Sequence, residues 1–468
     1  MSTSTRDLPV VVIGAGPVGL AAAAHLAERG LDFLVLESGT EAGAAIRDWG
    51  HVRVFSPWRY DTDPAARRLL EPEGWQHPDP EALPTGDEIV EEYLAPLAKH
   101  PALAPNLRYG HQVTAIGRHG TDRVRSAGRE LAPFQIRATT ENGEVRILAR
   151  AVIDASGTWR TPNVLGGDGL PALGETEAAP FIESALPDVL GADRDRFAGK
   201  RILVAGAGHS ATNTLVNLAT LADAEPGTTV TWVVRGQVGA RVFGGGEADA
   251  LPARGALGSR LKALIDSGRV DLVSGFPIDA VRADGNGVVV TAADGREVTA
   301  DRIVSATGFR PDHSIVSELR VGLDPILGAT TALAPLIDPN EHSCGTVPPH
   351  GEAELAHPEP GYYAVGMKSY GRAPTFLMAT GYEQVRSVVA FLAGDVEAAR
   401  DVQLELPETG VCDSDPQDTS GGSACCGTPE PVAVELVGRG LATGISGGLL
   451  SRALPLIEAG PTDSACCG

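Results

Sequence analysis

Val10-Val11-Val12-Ile13-Gly14-Ala15-Gly16-Pro17-Val18-Gly19, followed by an alanine-rich run to Glu28 and then Phe33-Leu34-Val35-Leu36-Glu37, is the stretch that decides the fold. Four apolar residues read as a buried strand, the glycines as a turn, Pro17 to Glu28 as a helix, and Phe33 to Leu36 as a second strand. Each glycine has a separate task. Gly14 permits the tight turn out of the strand, Gly16 lets backbone approach a pyrophosphate, and Gly19 lets helix and strand pack closely. The helix N-terminus turns free N–H groups and a positive dipole end toward phosphates. Glu37, at the end of the second strand, is placed to accept hydrogen bonds from a ribose diol. Strand, glycines, helix, strand and acid in that order predict a dinucleotide site rather than a structural glycine turn.

The same unit is written again downstream. Arg201-Ile202-Leu203-Val204-Ala205 leads into Gly206-Ala207-Gly208-His209-Ser210-Ala211, a helix, and a strand from Val230 to Val234 that ends in Arg235. An arginine in place of an acid pairs with a 2′-phosphate, which a carboxylate would repel. Arg241 is near enough in sequence to assist. The second unit therefore points to NADPH in preference to NADH; the alternative is that Arg235 is an ordinary solvated arginine.

Between the units, alternating runs near Val113–Ile116, Phe134–Arg137 and Val145–Leu148 read as a small antiparallel insertion. Ala151-Val152-Ile153-Asp154 reads as a strand opening onto the small-residue turn Ala155-Ser156-Gly157-Thr158. Residues 166–196, rich in glycine, proline and acids, read as a linker. Arg302-Ile303-Val304-Ser305 runs into Ala306-Thr307-Gly308, a second such turn, and Tyr362-Tyr363-Ala364-Val365 runs into Gly366 ahead of a helix from about Phe376 to Leu392.

Composition limits the partners. The 468 residues require more than one core, and 43% apolar residues suffice for them. A net charge of −22 argues against nucleic acid or an anionic membrane surface. No apolar run approaches the ~20 residues of a membrane span, and no secretory signal is legible. Leu406-Pro407-Glu408-Thr409-Gly410 spells a wall-sorting pentapeptide, but the apolar span and basic tail it requires are missing. The expected compartment is the cytoplasm.

Taken together, these motifs resemble the two-dinucleotide flavoprotein superfamily over residues 8–395. The chain is most similar to flavin-containing monooxygenases and thioredoxin-reductase-like proteins, and among them to arsenic-resistance-associated actinobacterial flavin monooxygenases. The resemblance implies an α/β fold of two Rossmann-like dinucleotide-binding domains, the NADPH domain inserted in the FAD domain, plus a flexible cysteine-rich C-terminal tail. Its boundaries would be FAD domain 1–165, NADPH domain 166–305, FAD domain again 306–400, and tail 401–468. It assigns FAD to Gly14, Gly16, Pro17, Gly19, Glu37, Ser38, Arg47, Trp49, Val113, Ala155, Gly157, Thr307, Gly308 and Gly366. NADPH falls to Gly206, Gly208, Ser210, Arg235 and Arg241. A homodimer is a further expectation. The chain departs from these families in what it lacks. The monooxygenase fingerprint FxGxxxH does not occur ahead of the second glycine turn, and neither the Cys-x-x-Cys of small thioredoxin reductases nor the flavin-side pair of disulfide reductases is present.

The first of six cysteines is Cys344, within Glu341-His342-Ser343-Cys344-Gly345. It is open to three readings: metal ligand with the neighbouring histidines, reactive thiol at the flavin, or wall of a substrate loop. The other five, Cys412, the pair Cys425-Cys426 and the pair Cys466-Cys467, lie in the tail. Disulfide geometry fits poorly across one peptide bond, so adjacent cysteines suit ligands or exchange partners, and soft thiolates select soft ions. The readings are capture of a soft metal or metalloid, a thiol relay, or no role. The expected function is an NADPH-dependent FAD oxidoreductase that uses O2 on a small molecule such as a trivalent arsenical. Its rivals are a reductase serving a thiol or soft metal ion on the tail, and a metalloid-sequestering flavoprotein.

Overall fold

The computed structural model describes residues 5–238, 243, 251–340, 347–373 and 376–404. Two five-stranded sheets, parallel throughout, organise them. The first runs Tyr362–Ala364, Ala151–Asp154, Val10–Ile13, Phe33–Leu36, Leu107–Arg108; the second runs Asp271–Val273, Thr229–Val233, Arg201–Ala205, Arg302–Ser305, Ile182–Glu183. Parallel strands are buried on both faces and so read as unbroken apolar runs rather than as alternation; Val10, Val11 and Val12 are fully buried. The helix Pro17–Glu28 lies between the first sheet and the helix Met378–Leu392. Its consecutive alanines, Ala21 to Ala24, are all buried, which is why it carries no amphipathic stripe.

The antiparallel insertion forms as expected, over Gln112–Arg118, Phe134–Thr140 and Gly143–Ala149. A second one, over Ile278–Asp284, Gly287–Ala292 and Glu297–Ala300, was not anticipated. Part of the stretch read as a linker is structured as well: Ile182–Glu183 pairs with Ile303–Val304 and forms an edge of the second sheet. The chain passes between the two sheets through Thr161–Asn163 and returns through Thr307–Arg310. These crossings pair antiparallel at Pro162 and Phe309, with Asn163 N donating to Gly308 O at 2.9 Å and Arg310 N to Thr161 O at 3.0 Å. No described helix is long and apolar enough to cross a membrane.

One group of buried charge fastens distant parts of the chain, and a second buried carboxyl stands apart from any cation among the described residues. Glu359 receives Arg118 Nε at 2.7 Å, an Arg129 guanidinium nitrogen at 2.8 Å and Arg320 N at 3.0 Å. The Arg118 guanidinium also lies 3.7 Å from the centre of the Phe134 ring. Asp61, fully buried, takes the Ser56 hydroxyl on Oδ1 at 2.8 Å, while its Oδ2 meets no hydrogen-bond donor. Burial pushes its carboxyl up to about 7. The folded protein therefore holds a proton that the unfolded chain gives up near pH 4. The stability from this group is complete below pH 4 and is lost as pH rises through 7, at about 1.4 kcal/mol per unit and about 4 kcal/mol in all. Urea unfolding at pH 5 and pH 7.5 should show the Asp61→Asn variant gaining on the wild type at the higher pH, and a pH-independent difference would refute the assignment.

Candidate functional site

Gly14 leaves its strand at φ +94°, and its N donates to Leu36 O at 2.7 Å. A Cβ at Gly14 would lie 2.7 Å from Ala155 O, and one at Gly19 would lie 2.0 Å from Gly14 O. A Cβ at Gly16 would meet nothing within 4 Å. The three positions thus divide as their spacing predicts: a turn that only glycine makes, an open face, and a close helix–strand contact. Gly16 caps the helix with extended backbone, and Pro17 occupies its first turn.

These residues open onto a cavity of about 500 Å3. Glu37 forms one end of it. Its Oε2 accepts Ala15 N at 2.7 Å, and its Oε1 accepts Gly39 N at 2.7 Å and Ser38 Oγ at 3.2 Å. The carboxylate is therefore fixed across the glycine turn, on a residue that lines the cavity. Ser38, Trp49, Val113, Ala155, Gly157 and Gly366 line the same space. Gly366, at φ +67°, gives its N–H to Gln384 Oε1 at 2.7 Å, so that amide is committed within the protein. The walls are mainly apolar, with Ile13, Val18, Ile46 and Phe376 among them.

Other expected residues stand elsewhere. The Arg47 guanidinium holds Asp87 at 2.7 Å, Glu91 at 3.1 Å and Glu41 at 3.4 Å, and the Asp87 hydrogen bond leads in raising its pKa. It lines not the cavity but a neighbouring cleft of about 640 Å3, together with His51, Leu186 and Phe309. Trp159 belongs to both spaces; its indole N–H donates to Asp48 at 2.9 Å and its ring lies 4.8 Å from that of Phe309. Thr307 and Gly308 serve the crossing: Thr307 Oγ1 donates to Asn163 O at 2.9 Å.

The second glycine turn repeats the first. Gly206 has φ +126°, a Cβ on it would lie 2.0 Å from Ala306 O, and Gly208 is open. Ser210 stands in the first turn of the helix His209–Ala224, and Ala211 is fully buried in the third glycine slot. Trp232 Nε1 donates to Gly206 O at 2.6 Å and fixes the turn from below. Arg235 is exposed, touching only Gly167 O at 3.3 Å among the described residues. Arg241, Cys344, Cys412, Cys425, Cys426, Cys466 and Cys467 lie outside the described residues. Among those described, no group of three or more His, Cys, Asp or Glu side chains is placed to hold a metal ion.

Sequence reasoning missed one cluster. Lys368, only 1% exposed, places Nζ 2.7 Å from Asp154 Oδ2 and 3.1 Å from Ser156 Oγ. Asp154 also takes the Tyr362 hydroxyl at 3.0 Å, and Ser156 Oγ and N at 2.6 and 3.1 Å. Burial pushes the Asp154 carboxyl up, but Lys368 and the Ser156 hydrogen bonds outweigh it and hold the group below the usual carboxylate range. Lys368 is one of only four lysines in the chain, and that rarity is the one sequence signal that could have found it.

Comparison with known proteins agrees with this construction. Residues 11–325 match the family described as pyridine nucleotide-disulphide oxidoreductase. Indole-3-pyruvate monooxygenase YUCCA1 of Oryza sativa subsp. japonica is 30% identical over 205 residues, 43% of this chain and 42% of that protein. The chain thus spans less than half the length of this curated relative. Two solved structures share the fold at low identity. The bacillithiol disulfide reductase Bdr (YpdA) of Bacillus cereus has a TM-score of 0.61 at 18% identity, covering 83% of this chain and 99% of that one. The cadaverine monooxygenase DfoA of Erwinia amylovora, solved bound to FAD, has a TM-score of 0.58 at 14% identity, covering 87% and 98%. With the family match covering residues 11–325 and both nucleotide-type glycine turns, the chain belongs to the pyridine nucleotide-disulphide oxidoreductase family.

Proposed function

We propose that the protein is an NADPH-dependent FAD oxidoreductase of the monooxygenase type. The observation that carries this reading is the pair of glycine turns with opposite endings: Glu37 fixed on the first cavity, Arg235 exposed beside the second turn. The residues fit the groups. The open face at Gly16 and the free amides of the first helical turn would receive the FAD pyrophosphate, and Glu37 would accept the ribose diol. Gly208 and Ser210 would do the same for NADPH, with Arg235 on the 2′-phosphate. On this reading FAD is held by residues 1–165 and 306–400, and NADPH by 166–305. Bound flavin supplies hydride acceptance and onward electron transfer. The chain holds and orients it, and its apolar walls limit the access of water.

The finer reading is that O2 is the oxidant and a trivalent arsenical the substrate, one oxygen atom passing to arsenic and the other leaving as water at the expense of NADPH. It is supported by the two cysteine pairs of the tail, whose soft thiolates suit As(III). The same pairs favour a second reading, in which electrons pass to a thiol or soft metal on Cys466 and Cys467.

Three measurements test these readings. Glu37→Ala should raise the Kd for FAD about 10- to 100-fold, the value of hydrogen bonds to a charged group, in titrations followed by flavin fluorescence. Arg235→Ala should raise KM for NADPH at least tenfold and leave KM for NADH near its wild-type value; a wild type that does not distinguish the two coenzymes would remove NADPH selectivity from the proposal. Stopped-flow reoxidation of the reduced enzyme by O2, with and without arsenite, separates the finer readings. Arsenate formed with a matching fall in peroxide supports oxygenation. A rate and peroxide yield indifferent to arsenite, with anaerobic NADPH oxidation that requires Cys466 and Cys467, supports the reductase.

A further inference from the structure

The order of the first sheet gives the cavity a direction. Glu37 stands at the end of Phe33–Leu36 and the glycine turn at the end of Val10–Ile13. Adenosine ribose at the first and pyrophosphate at the second leave the ribityl chain and ring to extend over the ends of Ala151–Asp154 and Tyr362–Ala364. Lys368 stands there.

Three features give this lysine a role beyond packing. Lys368 lines the cavity, whereas Asp154, fully buried, does not. The ion pair therefore meets the cavity through its lysine and not through its carboxylate. Asp154 is saturated by Lys368, Tyr362 and Ser156, so the carboxylate has little further demand on the ammonium. Of the three N–H groups of Lys368, two are taken by Asp154 and Ser156, and no described residue takes the third. A buried donor without an acceptor is costly, and an acceptor held in the cavity would relieve it. The one carboxylate on this part of the wall, Asp312, is engaged by Ser314 N at 2.8 Å.

We propose that Lys368 tunes the bound flavin: the Asp154–Lys368 pair presents a fixed positive end to the reducible ring and favours its reduced state. Hydride from NADPH brings two electrons and one proton, so the ring gains one negative charge as NADP+ leaves. A cation in a buried, weakly screened site acts on that charge far more strongly than one in water, and its partner Asp154 keeps it in place in both redox states. The proposal rests on the assignment of FAD to the first cavity.

The test is the midpoint potential of the flavin in the holoenzyme, measured by equilibration with reference dyes. Lys368→Met removes the cation and leaves a buried bare carboxylate, which threatens folding. The double variant Asp154→Asn, Lys368→Met removes both charges at nearly constant shape. Both variants should shift the equilibrium toward oxidised flavin by at least tenfold, about 30 mV for a two-electron couple, with the single variant lower than the double. A double variant that folds, binds FAD and keeps the wild-type potential within threefold overturns the proposal and leaves the pair a structural tie. Failure of the FAD assignment would appear separately and earlier, as a wild type that binds no flavin.

Discussion

The helix Pro17–Glu28 can lie on the strand Val10–Ile13 only because position 19 has no side chain: a Cβ there would stand 2.0 Å from Gly14 O. The second unit has a different close approach: a Cβ on Gly206, the counterpart of Gly14, would stand 2.0 Å from Ala306 O on the neighbouring strand, while Ala211 fills the slot of Gly19 with its methyl group buried. Backbone contacts this close have no tolerance for an added carbon. They bring the ends of adjacent parallel strands together, and the space left above those ends is the cavity. A side chain at Gly19 would push helix from strand, and one at Gly206 would push its turn from the neighbouring strand; either would distort a phosphate-facing turn. Fold and candidate site therefore depend on the same close backbone approaches.

Within that frame, buried charge supplies what glycine cannot. The returning segment Tyr362–Tyr370 reaches the first sheet some two hundred residues after the strand it joins, and three main-chain pairings hold its strand. Lys368 on Asp154 and Glu359 between two arginines fix either end of that segment. Pairs of this kind are weak evidence for net stability, since desolvation offsets attraction, but losing one partner leaves a stranded charge. They select one docking of the segment over neighbouring ones. That selection places Gly366 and Lys368, rather than residues one step away, at the cavity.

The two glycine turns and the strands that feed them were legible because each is set by its neighbours in the chain. The same holds for the first antiparallel insertion, whose alternation is local. What was not legible is set at long range. Asp154 and Lys368 are 214 positions apart, and no periodicity relates them. Arg47 sits in a loop that suggests a cofactor contact, but Asp87, forty residues on, claims its guanidinium. Ile182–Glu183 is a two-residue strand inside a glycine- and proline-rich run, and only its pairing with Ile303–Val304 makes it one. The second antiparallel sheet was marked by turn residues at Asp284-Gly285-Asn286-Gly287, a hairpin signal passed over beside the stronger glycine motifs.

The family name speaks of disulphides, and the chain does not supply the means in the usual places. Its first cysteine is residue 344, so no thiol follows the first glycine turn or lies within the second unit. Among the described residues lining the cavity there is no cysteine. What lines it instead is apolar wall, a fixed carboxylate and a buried ammonium. A site so built can hold a flavin and bias its charge, but it offers no dithiol to relay electrons from either glycine unit. On the proposed function the electrons therefore pass to an acceptor that reaches the cavity from outside these two units, rather than to a cysteine pair beside either glycine turn.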